Sequence, residues 1–424
     1  MKINHNISAQ LANVNLKKNN DRLSLSMQKL SSGYKITKAA DDSAGLAISN
    51  KMRTQIRALD RSAQNAEDGV SIIESADGAL AEIHSVLQRV RELCVQNAND
   101  TYTLEDRKTS QEEIDQLMDE IDRISSTTEF NGRSLFDGSA SRTIASSVDG
   151  VKALSVSMEA TSGTYTITKA ESGTCGKVAG VLKGVTFPAA ADKSISINSE
   201  TIAINKGDSK ADVEKKIVSA CSSMNLSYDT AKETVTSNVA GYDYYVQVGF
   251  ADGSKSKLDD GRGTDAKVEL KTVQTGVGFT ANAKVSASGN KINIIDNDGF
   301  EMNVELPTTD GSSKTYNNIA FDVYDAGFMT IQIGANEHQT LDMDLPTVSC
   351  DVLGLRNEDG KNLLNVCTNY GASTGIALAD SAIRQISSAR AELGAYQNRL
   401  ETTVSSLNVF GENMTESMSR IIDT

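Results

Sequence analysis

The chain has 424 residues, of which 39% are hydrophobic and 23% are charged, a balance that fits a soluble protein of several domains. Its net charge of −14 argues against a nucleic-acid partner, whose phosphates need a basic surface. No apolar run approaches the roughly 20 residues that span a bilayer, and the first residues lack the apolar core of a secretory signal. We therefore expect no membrane insertion, and any export needs another route.

Segment 1–40 is rich in asparagine and carries only a weak apolar pattern. Its apolar residues fall on two faces, and the charged run KKNNDR (17–22) separates them. An isolated helix of this kind is marginal in water. We expect the segment to be disordered in a monomer and to become helical only where a partner covers it.

Residues 41–97 predict one long amphipathic helix. Apolar or small residues recur every seven positions from Met52 to Cys94, the spacing of a stripe along one helix face. A second row shifts by one position after Val70, which keeps the stripe on one face of a nearly straight helix. A shorter helix is predicted at about 104–125, where Thr103 and Asp106 can form a capping box.

The middle, about residues 140–360, is predicted to be rich in strands. Four stretches alternate or run apolar between turn residues: ISINSETIAI (195–204), YYVQV (244–248), KINII (291–295) and MTIQI (329–333). Residues 211–222 predict one short helix, SASGN (286–290) a hairpin turn, and 329–345 a hairpin that leads back to the helical part.

From Gly375 onward a second seven-residue row predicts another long helix. Two such helices at opposite ends of the chain can bury each other's stripes. The predicted fold class is therefore α+β: a long antiparallel, coiled-coil-like helical bundle formed by both chain ends, with one or two mostly β variable domains inserted in the middle. The residues expected to pack in this bundle are Met52, Leu59, Ile73, Leu80, Ile386, Leu393, Leu400 and Leu407.

No catalytic or metal-binding motif emerges from the sequence. The histidines His5, His84 and His338 lie at no metal-ligand spacing, and HExxH and the common nucleotide-binding and hydrolase motifs are missing. The five cysteines are widely spaced without a CxxC motif, which predicts buried thiols rather than disulfides or zinc ligands. We expect no enzyme, no cofactor and no metal.

The chain ends resemble bacterial flagellins over several long blocks. These include LSSGYKITKAADDSAGLAIS (30–49), NAEDGVSIIESADGAL (65–80), LQRVRELCVQNAND (87–100) and LGAYQNRLETTVSSLN (393–408). IQIGANEHQTLDMDL (331–345) is similar to the flagellin hairpin, and residues 195–229 to an Ile–Asn module of flagellins and hook-associated proteins. The resemblance implies three parts: the terminal segment 1–40, a helical core of 41–140 with 326–424, and a variable outer part of 141–325 with the module near 195–250.

The resemblance also implies a function. The chain would be a structural subunit of the flagellar filament, self-assembling into a helical homopolymer for swimming motility. It would be exported unfolded by the flagellum's own type III apparatus and so be secreted, extracellular and part of the bacterial flagellum. In the family a further helix follows the stretch matching SRIIDT (419–424) and pairs with the 1–40 segment; without it, polymerisation is expected to be poor.

Two alternative functions remain open. One is a hook–filament junction protein, which shares the helical ends. The other is a flagellin with a protease in its outer part, which the missing HExxH disfavours.

The block at 87–100 resembles the flagellin strip that a Toll-like innate immune receptor binds. Arginine forks and an apolar contact on a preformed helix face are the residue mix of an interface hot spot. A subunit contact inside the filament is an equally good interpretation, and the two are compatible. The positions carried over are Leu87, Gln88, Arg89, Arg91, Glu92, Leu93, Gln96 and Glu113.

Overall fold

The computed structural model describes residues 7–423, except 142, 157–160, 199, 258–260, 273–276, 297–299, 308–312, 325–326 and 357–361. The helices in this part of the chain are α1 (Ile7–Ser32), α2 (Ser43–Asn97), α3 (Leu104–Thr127), α4 (Lys210–Ser223) and α5 (Asn369–Ile422). None of these helices is both long and apolar enough to cross a membrane.

The strands of the described residues are short and all lie between α3 and α5. They are β1 (Glu129–Phe130), β2 (Arg133–Ser134), β3 (Ile144–Ser146), β4 (Lys152–Val156), β5 (Gly163–Glu171), β6 (Cys175–Ala179), β7 (Lys193–Ile197), β8 (Glu200–Ile204), β9 (Leu226–Asp229), β10 (Thr234–Ala240), β11 (Val248–Gly249), β12 (Lys267–Leu270), β13 (Lys284–Ser288), β14 (Lys291–Ile295), β15 (Glu301–Glu305), β16 (Thr315–Val323), β17 (Met329–Gln332) and β18 (Thr340–Met343). The α+β fold class expected from the sequence is confirmed.

Side-chain caps set where the long helices begin. α2 starts at Ser43 rather than at residue 41, because the Asp42 carboxylate accepts a hydrogen bond from the Gly45 backbone N–H at 2.9 Å. The capping box predicted for α3 is confirmed, since Thr103 and Asp106 each accept a hydrogen bond from the other's backbone N–H. α5 starts before Gly375, at Asn369, where the preceding Thr368 hydroxyl accepts from the Gly371 N–H at 3.0 Å.

The seven-residue rows are buried over much of both long helices. In α2 the row is buried from Leu59 to Cys94, and the predicted one-position shift of the second row holds, with Ala63 before it and Ala76 after it both buried. Each buried Leu or Ile contributes about 1.5–3 kcal/mol. Of the expected packing residues, the structure buries Leu59, Ile73, Leu80, Ile386, Leu393 and Leu400 and leaves Met52 and Leu407 half-buried.

The chain divides into two compact units. One takes in the chain as far as Ile73, the segment Thr330–Asp342 and the chain from Gly394 onward; the other takes in Glu74–Met329 and Met343–Leu393. The domain boundaries expected from the sequence stay a prediction. Residues 1–6 and 325–326, where two of those boundaries fall, lie outside the described residues.

In the first unit, α2 meets both α5 and the hairpin formed by β17 and β18. The hairpin predicted at 329–345 is confirmed. The Asn65 side-chain amide donates a hydrogen bond to the Gln332 carbonyl at 3.2 Å. At Gly69 the packing is so close that an added Cβ would lie 2.4 Å from Ile331 Cδ1 and 3.1 Å from Leu400 Cδ1.

Helix α1 buries none of its residues. Leu11, Leu23 and Leu30 are 63%, 64% and 74% exposed, so its apolar side chains gain nothing from the rest of the chain. Such a helix has no tertiary packing to stabilise it. Its disorder in a free monomer stays a prediction.

In the second unit, ion pairs link α2 to α5 in reverse order along the chain. Arg390 Nε donates to Asp77 Oδ1 at 2.7 Å, and Arg91 Nε donates to Asp380 Oδ1 at 2.6 Å. The residue nearer the end of α2 therefore pairs with the residue nearer the start of α5. The two helices run antiparallel here, as the sequence pattern predicts.

The β-rich part of this unit contains two hydrophobic cores. One is enclosed by two four-stranded sheets, of order β12-β5-β16-β3 and β13-β14-β15-β4, around residues such as Ile292 and Phe321. The other lies among α4 and two three-stranded sheets, of order β6-β10-β9 and β11-β7-β8, around residues such as Ile195 and Ile217. Both four-stranded sheets and both three-stranded sheets pair antiparallel throughout.

Most of the predicted strands are confirmed. Residues 195–197 and 200–204 pair in the hairpin β7–β8, with Asn198 in a turn at φ 50°, and the turn at 286–290 joins β13 to β14. The prediction for 244–248 is wrong except at its last residue, because only Val248 lies in a strand. The preceding residues pair with a glycine-interrupted segment through isolated contacts, such as the Val246 N–H with the Gly261 carbonyl at 2.8 Å.

Substitution of two glycines in α2 separates the effect of helix propensity from the effect of close packing. We predict that Gly78→Ala raises the free energy of unfolding by up to about 1 kcal/mol, because an added Cβ meets nothing within 4 Å there and alanine favours the helix. Gly69→Ala is predicted to give no such gain, because its methyl group collides with Ile331 and Leu400. Urea unfolding followed by circular dichroism measures both. Equal stabilisation by the two substitutions would contradict the close approach at Gly69.

Candidate interface on helices α2 and α3

The last turns of α2 present two different faces. Leu87, Val90, Leu93 and Cys94 are 0%, 0%, 2% and 0% exposed and form part of the core. The side chains between them point to solvent, since residues three and four apart share one face of a helix. The exposed residues on this strip are Gln88, Arg89, Arg91, Glu92 and Gln96.

Two of the residues carried over to the receptor strip are therefore not available at the surface. Leu87 and Leu93 are buried, and Leu93 cannot supply the apolar contact expected of it without unpacking the helix. The exposed apolar side chain of the strip is Val95, at 48% exposure, which sequence reasoning missed. Its position beside Cys94, just off the buried row, is the signal that could have found it.

Arg89 is held across α2 and α3 by the carboxylate of Glu113. Its Nε and Nη2 both donate to Glu113 Oε1, at 2.9 and 2.8 Å, and Nη1 donates to Glu92 Oε2 at 3.4 Å. The hydrogen bond to Glu113 raises the pKa of the Arg89 guanidinium. Both side chains remain about half exposed, at 48% and 45%, so the pair is fixed in orientation and open to solvent.

The other polar residues of the strip have partners as well. Arg91 reaches α5 through its bond to Asp380, so one of its donors is committed to holding two helices together. Gln88 Nε2 lies 2.9 Å from His84 Nε2, within hydrogen-bond distance. Beneath the strip the buried Asn97 amide donates to the Leu93 carbonyl at 2.8 Å. The structure thus brings together the exposed polar residues predicted from the sequence on one ordered surface.

Cys94 lies in the core under this strip. Burial raises the pKa of its thiol to about 12, which keeps it protonated and unreactive. An added Cβ at Gly375 would lie 3.1 Å from its sulfur, so α5 passes close to it. All five cysteines are free and buried, as the sequence predicts.

The described histidines do not assemble a catalytic or metal site. His84 contacts Gln88, and His338 is exposed beside Glu337 at 3.4 Å. His5 lies outside the described residues. In the part of the chain that the structure describes, no three His, Cys, Asp or Glu side chains group as metal ligands would.

Family comparisons agree with helical ends around a β-rich middle. Residues 3–141 match the model of the bacterial flagellin N-terminal helical region, and residues 376–424 match the model of the bacterial flagellin C-terminal helical region. These features define a structural protein of the flagellum rather than an enzyme.

Relatives that align with the whole of this chain identify the family within this class of structural proteins. Flagellin of Clostridium tyrobutyricum is 33% identical over 100% of this chain and 92% of its own length. Flagellin B of Vibrio anguillarum is 30% identical over 100% of this chain and 89% of its own length. The chain belongs to the bacterial flagellin family and is a structural subunit of the flagellar filament, which forms by self-polymerisation.

Solved structures align only loosely. Flagellar hook associated protein-3 of Legionella pneumophila is 15% identical over 88% of this chain and 98% of its own, with a TM-score of 0.34. FliC of Burkholderia pseudomallei is 16% identical over 78% of this chain and 99% of its own, with a TM-score of 0.26. Scores at this level do not separate a filament subunit from a junction protein.

The bond between Arg91 and Asp380 can be measured by a double-mutant cycle. We predict that Arg91→Ala and Asp380→Ala show a coupling of about 0.2–1 kcal/mol in the free energy of unfolding, because the two half-exposed groups attract each other in a largely aqueous environment. The coupling is expected to fall as sodium chloride is added, since salt screens exposed charges. Additive single substitutions at low salt would show that the pair contributes nothing.

Proposed function

We propose that the exposed polar residues of α2 and α3 form one contact surface with two uses. In the filament it contacts a neighbouring subunit, and on a free subunit it binds the ectodomain of a Toll-like innate immune receptor. The observation that carries the proposal is the pair of hydrogen bonds from Arg89 to Glu113, which orders an exposed guanidinium. We call this surface the Arg89 strip, made of Gln88, Arg89, Arg91, Glu92, Gln96 and Glu113.

An ordered arginine suits recognition because it loses less side-chain entropy when a partner binds. A long side chain loses rotamer freedom when a partner immobilises it, and that loss weakens binding. Arg89 is held by Glu113 before any partner arrives, and its remaining donors face solvent. The buried Leu87 and Leu93 support the proposal indirectly, because they keep the backbone beneath the strip rigid.

The two uses of the Arg89 strip exclude each other. A subunit contact that repeats head to tail without closing produces a helical fibre. A strip covered by the next subunit is not accessible to a receptor. The receptor is therefore expected to bind free subunits and not the filament.

Helix α1 is the second part of the proposed assembly surface. Its apolar residues are exposed on both of its faces, and they make no buried contact within their own chain. In the filament they would be covered by helices of the terminal segments. Export as an unfolded chain through the flagellum's type III apparatus, and secretion to the cell exterior, belong to this proposal, and family membership supports them.

A hook–filament junction protein is the alternative function. The hook-associated and junction proteins of known structure align with TM-scores below 0.5, so they carry no argument. The relatives that cover the whole chain are named flagellins, which favours the filament.

Arg89→Ala tests the receptor contact. We predict that it weakens binding of the receptor ectodomain by about tenfold or more, because hot-spot arginines carry a large share of interface energy. The measurement is surface plasmon resonance with the folded, monomeric protein. Arg123→Ala is the matched control: Arg123 also pairs with a glutamate, Glu120, on an exposed helix face, but lies outside the strip. Unchanged affinity for Arg89→Ala, or equal loss for both variants, would remove Arg89 from the site.

Leu23→Gln tests the role of α1. We predict that it leaves the thermal midpoint of the monomer unchanged, because the side chain is 64% exposed and buries nothing, while it reduces incorporation into seeded filaments. Sedimentation and electron microscopy measure incorporation. Lys18→Gln, on the same helix, serves as control. Its incorporation into filaments is expected to be closer to that of the unsubstituted protein than that of Leu23→Gln. Normal assembly of the Leu23 variant would exclude this face from the filament interior.

A further inference from the structure

The second unit contains a cavity of about 310 Å³ between the β-rich part and the start of α5. Residues of β14, β15, α5 and the segment 352–354 line it. Ligand sites in proteins usually enclose about 300–1,000 Å³ and are mostly apolar with a few polar groups. The cavity has this size and character, and no residue of the Arg89 strip lines it.

The walls of the cavity are largely apolar. Ile295 from the sheet, Leu353 from the segment 352–354 and Leu378 from α5 all line it. An apolar group that enters the cavity leaves water, which favours its binding.

The charges that line the cavity do not cancel. Lys291 and Glu305 face each other in the register of β14 and β15, and the Lys291 ammonium also donates to the carbonyls of Asp351 and Arg356. Burial lowers the pKa of Lys291. Arg384 of α5 is the remaining charged residue of the lining, and its guanidinium has no hydrogen-bond or ion-pair partner among the described residues. In a chain of net charge −14, the rim of this cavity therefore carries an uncompensated positive charge.

We propose that this cavity binds a small amphipathic carboxylate. Its apolar tail lies between β14 and α5, and its carboxylate pairs with Arg384. An arginine fork matches the two oxygens of a carboxylate, whereas an alcohol or an amine of the same length cannot form that pair. The ligand is a free carboxylate rather than a membrane lipid, because the cavity is too small for two acyl chains and a headgroup.

Isothermal titration calorimetry of the full chain tests the ligand class. Octanoate is expected to bind with one site per chain, octanol at least about tenfold more weakly, and octylammonium more weakly still. Absence of binding by octanoate would overturn the proposal. Equal binding of all three probes would overturn the assignment to an anionic head. Co-sedimentation with phosphatidylglycerol vesicles, if it occurred, would replace the free carboxylate with a membrane lipid.

Two substitutions locate the site. Arg384→Gln is expected to reduce octanoate affinity to that of octanol while leaving octanol binding unchanged. Ser381→Trp places a large ring in the cavity and is expected to abolish binding of both. Arg399→Gln, on the same helix and away from the cavity, is the control and should bind like the parent. Circular dichroism shows whether the Ser381 variant folds. If it does not fold, the Arg384→Gln variant alone tests the proposal, because Arg384 is exposed. Octanoate binding that is unchanged by Arg384→Gln would contradict the proposal.

Discussion

Burial of the apolar rows on α2 and α5 is the interaction on which the rest of the structure depends. The rows contain mostly large residues with a few small ones, and small residues let the neighbouring elements approach closely. Gly69 and Gly375 mark two of these approaches, since neither has room for a Cβ without displacing a neighbour. Ion pairs such as the one between Asp77 and Arg390 lie outside the apolar seam and fix the helix register rather than supply most of the stability.

The candidate interface is a by-product of the same packing. Because Leu87 and Leu93 are drawn into the core, the residues between them are pushed to the surface in a fixed order. α3 then crosses close enough for Glu113 to hold Arg89. A surface of this kind is rigid because of what lies beneath it, so changes in the core can alter recognition without touching any exposed residue.

Periodic features were predictable from the sequence, whereas contacts between distant segments were not. The seven-residue rows, the α3 capping box and the strongly alternating strands follow from local patterns. The burial of Leu87 also followed from its place on the row, so its assignment to a surface site neglected the helix period. The bond between Arg89 and Glu113 joins residues 24 positions apart and depends on how two helices cross. The irregular pairing around Val246 depends on glycines in another segment, which an apolar run cannot reveal.

The antiparallel pairing of the two chain ends has a consequence for the middle of the chain. The β-rich part lies between α3 and α5 in the chain, so it forms a closed loop with respect to the helical part. The entropy of closing a loop grows only with the logarithm of its length, and doubling the length costs about 0.6 kcal/mol. The helical part therefore tolerates exchange or enlargement of this inserted segment, because the apolar rows of α2 and α5 lie outside it.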